Sequence, residues 1–189
     1  MTVNHYILKN IAEHILDIAQ NSIRAQATQI TIQMSESMVN NSYELVITDN
    51  GLGMDAETCK KVSDPFYTSR TTRKVGLGIP LLKQNAEQSG GLFRLESELG
   101  KGTEVTATFI LNHIDKLPVG DIVGTYLLLF AANPAIEFIV THKTDSGNLT
   151  FDTREAKQML GHIPLSAAEV RNFLKEWFNE NLQTIKASL

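Results

Sequence analysis

A carboxylate, an amide and a guanidinium stand at Asp17, Asn21 and Arg24, spaced i, i+4, i+7. At about 100° per residue they fall within roughly 60° of one another on a helix. One helical face would then carry a carboxylate, an amide and a guanidinium together, beside the apolar one. Taken alone, the same stripe is also an ordinary solvated face. A second acid stands in Asp49-Asn50-Gly51-Leu52-Gly53-Met54. A strand ending in a fixed Asp beside a Gly turn can set one carboxylate on a pocket floor, where it accepts a hydrogen bond from an exocyclic amine such as that of adenine. Gly51 and Gly53 let the backbone come close to a flat ligand, although strand-Asp-Gly is equally an ordinary turn. Further on, Thr68, Ser69, Arg70, Thr71, Thr72, Arg73 and Lys74 carry no apolar period and read as a basic, hydroxyl-rich loop, one that could fold over phosphates or simply be solvated. Gly76-Leu77-Gly78-Ile79-Pro80 then opens a helix. Free N–H groups at a helix start beside glycines make an anion site, and Pro80 is tolerated at an early helical position.

These groups need elements to position them. Ile11, Ile15, Ile18, Ser22 and Ala25 recur at helical spacing, so residues 10–27 are predicted as a helix, with His14 near its polar stripe. Ile30 and Ile32 alternate with polar residues in a half-buried strand, and a run of β-formers, Tyr43 to Thr48, returns through a turn at Asn40-Asn41 and leads into Asp49. A short helix over residues 56–62 and one running to about Ser89 follow. Leu92 to Glu98 and Glu104 to Leu111 form a hairpin about Gly100-Lys101-Gly102-Thr103. Pro118 and Gly120 mark a boundary, giving expected units of 1–114 and 115–189. The second unit reads as helix 121–132, strands 136–141 and 149–151, and helices capped by Thr153 and by Ser166, the latter with Glu169 at capping-box spacing. Val170, Phe173, Leu174, Trp177, Phe178 and Leu182 form a broad apolar stripe, core or partner face.

Composition sets the bounds. A chain of 189 residues with 42% hydrophobic and 20% charged residues is ordinary for a globular protein with a sizeable core. The net charge of -4 argues against nucleic acid as a partner. A single cysteine, Cys59, excludes an internal disulfide and a Cys-based zinc site. His113, His142 and His162 have no metal-like spacing. No apolar stretch reaches the about 20 residues that span a bilayer, and the N-terminus has no apolar signal core, so a soluble, cytoplasmic protein is expected.

An Asn-bearing helix, strand-Asp-x-Gly-x-Gly, a basic loop, Gly-x-Gly into a helix and Gly-x-Gly-Thr before a strand follow in that order over residues 10–111. This series resembles the ATP-binding domain of the GHKL superfamily of gyrase, heat-shock chaperone, histidine kinase and MutL. The resemblance implies an α+β fold, a two-layer sandwich of Bergerat type with a mixed, largely antiparallel sheet and helices on one face, here with a smaller α+β C-terminal extension. It implies ATP and Mg2+ as ligands. Asn21 would coordinate magnesium and Asp49 would bond the adenine amine. Gly51, Gly53 and Met54 would shape the adenine pocket, and Phe66 resembles an aromatic of the family. Gly76, Leu77 and Gly78 would hold phosphates, with Gly102 and Thr103 as the last box beside the adenine. Residues 67–75 would form a lid that brings Arg70, Arg73 or Lys74 onto the γ-phosphate, and Arg24 stands where kinases carry a phosphate contact.

Within the superfamily the segment 76–109 looks like a sensor histidine kinase, whereas the helix before it looks like MutL. The general base of MutL, gyrase and anti-sigma kinases is usually Glu; Asp17 takes that place, one methylene shorter. Two roles stay open for Asp17, a base for water or a hydroxyl and an orienter of Asn21 or the hydrated metal. His5 and His14 lie too close to the pocket wall to be swinging phosphoacceptors. The leading expectation is an ATP-dependent protein kinase of histidine-kinase type acting on a partner in signal transduction. The alternatives are an ATP-gated binding module, with the C-terminal extension serving a partner or a homodimer, and a slow MutL-type ATPase.

Overall fold

The computed structural model describes residues 8–62 and 78–188. Helix α1 (Ile11–Arg24) opens with a reciprocal cap: the Glu13 amide donates to Asn10 Oδ1 at 2.9 Å and Asn10 Nδ2 donates to Glu13 Oε1 at 3.0 Å. Its next free amides, Ile11 and Ala12, donate to the carbonyls of Pro118 and Val119, so the C-terminal segment helps to close the first turn. Strands β1 (Gln29–Ser37) and β2 (Ser42–Asp49) follow as an antiparallel pair, then α2 (Ala56–Val62) and α3 (Gly78–Gln88). The hairpin β3 (Phe93–Glu98) and β4 (Gly102–Ile110) comes next. The chain closes with α4 (Ile122–Ala132), β5 (Glu137–Thr144), β6 (Gly147–Asp152), α5 (Thr153–Leu160) and α6 (Ala168–Thr184).

All six strands lie in one mixed, largely antiparallel sheet of order β3-β4-β2-β1-β5-β6. The boundary expected near residue 115 is therefore not a break in the sheet: β5 pairs in parallel with β1, Ile30 opposite Phe138 and Ile32 opposite Val140. The two-residue period drives every inner side chain to one face. Ile30, Ile32 and Met34 face Asp49, Ile47 and Leu45 across β2, which face Thr103, Val105 and Ala107 across β4. Helices cover that face, and one core runs from Ile15 of α1 to Phe178 of α6. Tyr126, Phe130, Phe138, Phe151, Trp177 and Phe178 stack there at centroid distances of 5.1 to 6.5 Å.

Three local expectations change. Asp152, not Thr153, caps α5, because its carboxylate takes the Arg154 amide at 2.9 Å. Thr153 is drawn inward instead, donating to Glu137 Oε2 at 2.6 Å and accepting from the Phe138 amide. Ser166 forms no capping box: the N-cap of α6 is Ala167, with no side-chain bond. Of the apolar stripe on α6, Val170, Leu174, Phe178 and Leu182 are buried while Phe173 stays exposed.

One buried polar pair interrupts the inner face. Glu36 of β1 and His142 of β5 meet at 2.8 Å, and Glu36 also accepts from the Ser188 amide at 2.8 Å, tying down the C-terminal residues. Burial pushes the Glu36 carboxyl up, but the bonds from His142 and Ser188 outweigh it and leave it below the usual carboxylate range. A carboxyl held low stabilises the fold while it is ionised, and that contribution disappears as pH falls below the ordinary value of 4.5 toward the folded one. Glu36→Gln should melt below wild type at pH 7, and the gap should narrow as thermal melts are repeated down to about pH 3. A gap independent of pH would show that Glu36 is not the group being titrated.

Candidate functional site

Helix α1 holds both ends of the site. At one end, Ser22 donates from its hydroxyl to Asp49 Oδ2 at 2.5 Å, and the Gly51 amide donates to Asp49 Oδ1 at 2.9 Å. The carboxylate of Asp49 is thus fixed on both oxygens, at 9% exposure, at the C-terminal end of β2. Each oxygen keeps acceptor capacity for a further donor. The strand cannot drift, because Asn50 Oδ1 accepts from the amides of Thr28 and Gln29 at 2.9 Å each and Asn50 Nδ2 donates to Thr28 Oγ1.

Around Asp49 the glycines are demanded by space. A Cβ on Gly51 would stand 2.7 Å from the Ala25 carbonyl oxygen. Gly53 has φ +64° and its Cβ would fall 2.0 Å from the Glu98 carbonyl oxygen. Thr103 pairs with Asp49 in the β2–β4 register. Ser97 knits this wall together: it donates to the Gly102 carbonyl at 2.8 Å, which leaves its oxygen to accept from the Met54 amide at 2.8 Å and the Thr103 hydroxyl at 2.9 Å.

At the other end Asp17 lies against the first residue of α3. A Cβ on Gly78 would fall 1.8 Å from Asp17 Oδ2, so only glycine lets the carboxylate sit there. Asn21 Nδ2 points to the same oxygen at 3.5 Å. Burial pushes the Asp17 carboxyl above the usual carboxylate range, opposed by the Arg24 guanidinium and by Asn21. A half-buried carboxyl held high and close to a helix start suits a proton acceptor. Ser22 and Asp17 are five residues apart, about 7.5 Å along the helix axis at 1.5 Å per residue. One rigid helix therefore spaces the Asp49 end from the Gly78 end.

The structure thus brings together Asp17, Asn21 and Gly78 in one group, and Asp49, Gly51, Gly53, Met54, Gly102 and Thr103 in another. Arg24 is exposed and acts on Asp17 through its charge. It also lines a groove of about 330 Å3 between α1 and α4 with Leu16, Ile23, Leu128 and Leu129, away from Asp49 and Gly78. Phe66, Arg70, Arg73, Lys74, Gly76 and Leu77 lie outside the described residues. Sequence reasoning gives no role to Ser22, Asn50 or Ser97. The available signal for Ser22 was a hydroxyl set into an otherwise aliphatic face. Ser97 carried none, since its three partners converge only through the hairpin.

A magnesium ion fits only as company for phosphates. Among the described residues no group of three or more His, Cys, Asp or Glu gathers to hold a metal. Asn21 offers an amide oxygen beside Asp17, the hard donor Mg2+ accepts when phosphates and water supply the rest. Also among the described residues, no helix is long and apolar enough to cross a membrane.

Comparison with known proteins shows the family. Residues 5–113 match the family described as histidine kinase-, DNA gyrase B-, and HSP90-like ATPase. Sensor protein kinase FleS of Pseudomonas aeruginosa is 33% identical over 108 residues, covering 57% of this chain and 26% of that protein. Sporulation kinase D of Bacillus subtilis is 30% identical over 99 residues, covering 52% of this chain and 19% of that protein. The chain thus spans about a quarter or less of these relatives. Among solved structures, the MutL ATPase domain of Aquifex aeolicus complexed with ADP superposes with a TM-score of 0.50 at 14% identity, over 90% of this chain and 70% of that one.

Proposed function

Because the chain belongs to the histidine kinase-, DNA gyrase B- and HSP90-like ATPase family, we propose that it binds ATP with magnesium and passes the γ-phosphate to a partner protein. The observation that carries this reading is Asp49: a buried carboxylate, fixed by Ser22 and Gly51, with acceptor capacity left for the adenine amine. Thr103 stands beside it, and Met54 is held by Ser97 in the same wall. Asn21 would supply an amide oxygen to magnesium, which neutralises phosphate charge when bound. The amides at the start of α3 would face the phosphates. Asp17 would take the proton of the attacking hydroxyl, with Arg70, Arg73 and Lys74 as further cations for the γ-phosphate.

The test is incubation with γ-labelled ATP, magnesium and an extract of the source cells. A labelled protein band that depends on the chain is the expected result. Hydrolysis without a protein acceptor is the second reading, supported by the placement of Asp17 against Gly78, the helix start that would meet the phosphates. Release of labelled phosphate with no labelled protein would decide for it and against the kinase. Under either reading Asp17→Ala should lower turnover by about a hundredfold or more, the usual contribution of a positioned base. ATP affinity, measured by titration calorimetry, should stay within about threefold of wild type, because that residue acts on the reacting proton rather than on the base. Unchanged turnover in this variant would remove Asp17 from the chemistry.

A further inference from the structure

His14 lies three residues before Asp17, on the same stripe of α1 as Asp17 and Asn21. It is fully buried, which excludes it as a phosphoacceptor in this state. Its Nε2 is 3.0 Å from the Asn85 amide nitrogen, one side chain on α1 and the other on α3. The Gly78 backbone also stands beside the ring, so His14 meets α3 both at its first residue and two turns on. Burial brings its pKa down to about 4, with Glu13 and Gly78 opposing the shift, so the ring is neutral at pH 7. By geometry its Nδ1 has no hydrogen-bond partner among the described residues, although the Gly78 backbone lies close enough to oppose the loss of its charge.

An imidazole in this place is expensive. The neighbouring positions that face the core are Ile11, Ile15 and Ile18, and an aliphatic residue at position 14 would leave no buried nitrogen unpaired. What the ring adds over a leucine is the polar link to α3. That link ties α1 to α3 two turns beyond Gly78, where the Asp17 carboxylate leaves no room for more than a glycine. Within the nucleotide reading above, on which this rests, α3 is the element that meets the phosphates.

We propose that His14 and Asn85 are positioning residues, a buried crosspiece that sets the start of α3 at the phosphate end of the nucleotide site without touching the adenine end. The adenine end is fixed separately, through Ser22, Asn50 and Ser97. Loss of the crosspiece therefore weakens ligands that carry phosphates and spares those that do not.

The test compares wild type, His14→Leu, Asn85→Ala and the double variant. Titration with Mg-ATP and with adenosine, and thermal melts, are the readouts. The expected result is an ATP affinity reduced about tenfold in each single variant, adenosine affinity within about twofold of wild type, and a double variant no worse than either single one, as for residues acting as one unit. His14→Gln, which keeps an amide able to reach Asn85, should recover part of the loss. Equal losses for ATP and adenosine would mark a merely structural role and overturn the proposal, as would ATP affinity unchanged in Asn85→Ala. Asn85 is only half-buried, so that variant keeps the test decisive if His14→Leu does not fold. Wild type that binds neither ligand would instead overturn the nucleotide reading itself.

Discussion

Asp49→Asn should weaken ATP binding by about a hundredfold, some 2.7 kcal/mol, while the melting temperature moves by only a few degrees. The reason lies in the two bonds that hold the side chain. The Gly51 amide can only donate, so the amide oxygen of an asparagine must stay where Asp49 Oδ1 is. Its NH2 must then replace Oδ2 beside Ser22, whose hydroxyl turns round to accept. The fold keeps both bonds. An adenine amine that approaches the former Oδ2 now meets a donor, and the charge that strengthened the bond is gone. Calorimetric titration with ATP measures the effect. Affinity equal to wild type would mean that Asp49 is a turn residue and nothing more.

The second large effect is expected at Gly102→Ala. Gly102 has φ +107°, and an added Cβ would lie 1.9 Å from the Asp49 carbonyl oxygen and 2.9 Å from the Asn50 Cα. Backbone on both sides of the clash has nowhere to go, since Asp49 and Thr103 are paired in the sheet. Strain of this kind costs about 3 kcal/mol or more. At 2–4 °C per kcal/mol for a chain of this size, the melting temperature should fall by about 6–12 °C. ATP binding should fall with it, because the displaced strand end carries Asp49. Gly100→Ala is the control: it too has positive φ, at +76°, but its Cβ would meet nothing within 4 Å. Its cost should be only the about 1 kcal/mol of a left-handed alanine. Equal losses in the two variants would show that the conformation, rather than the contact with Asp49, is what Gly102 provides.

Both effects concern residues whose place in the chain was legible before any coordinates. What the order of Asn21, Asp49, Gly78 and Gly102-Thr103 could not convey is how they are held. Ser22 reaches Asp49 across 27 residues and His14 reaches Asn85 across 71, and neither distance leaves a trace in local periodicity. Capping was misread for a related reason. Thr153 and Ser166 have the right chemistry for a helix start, but Thr153 is claimed by Glu137 and Phe138 of a neighbouring strand.

The sequence by itself determined the elements and the family, because both rest on short-range pattern. The two-residue period of Ile30 and Ile32, the helical spacing of Ile11, Ile15 and Ile18, and the glycines that only certain turns accept act within a few residues of one another. Tertiary structure alone decided that residues 137–152 extend the same sheet, through a parallel pairing with β1 that no local signal encodes. It also decided that Asp17 rests on Gly78, that Ser22 locks Asp49 and that His14 spans to α3. Those contacts follow from strand register and from where α1 docks on the sheet, and both are fixed by burying the whole core at once.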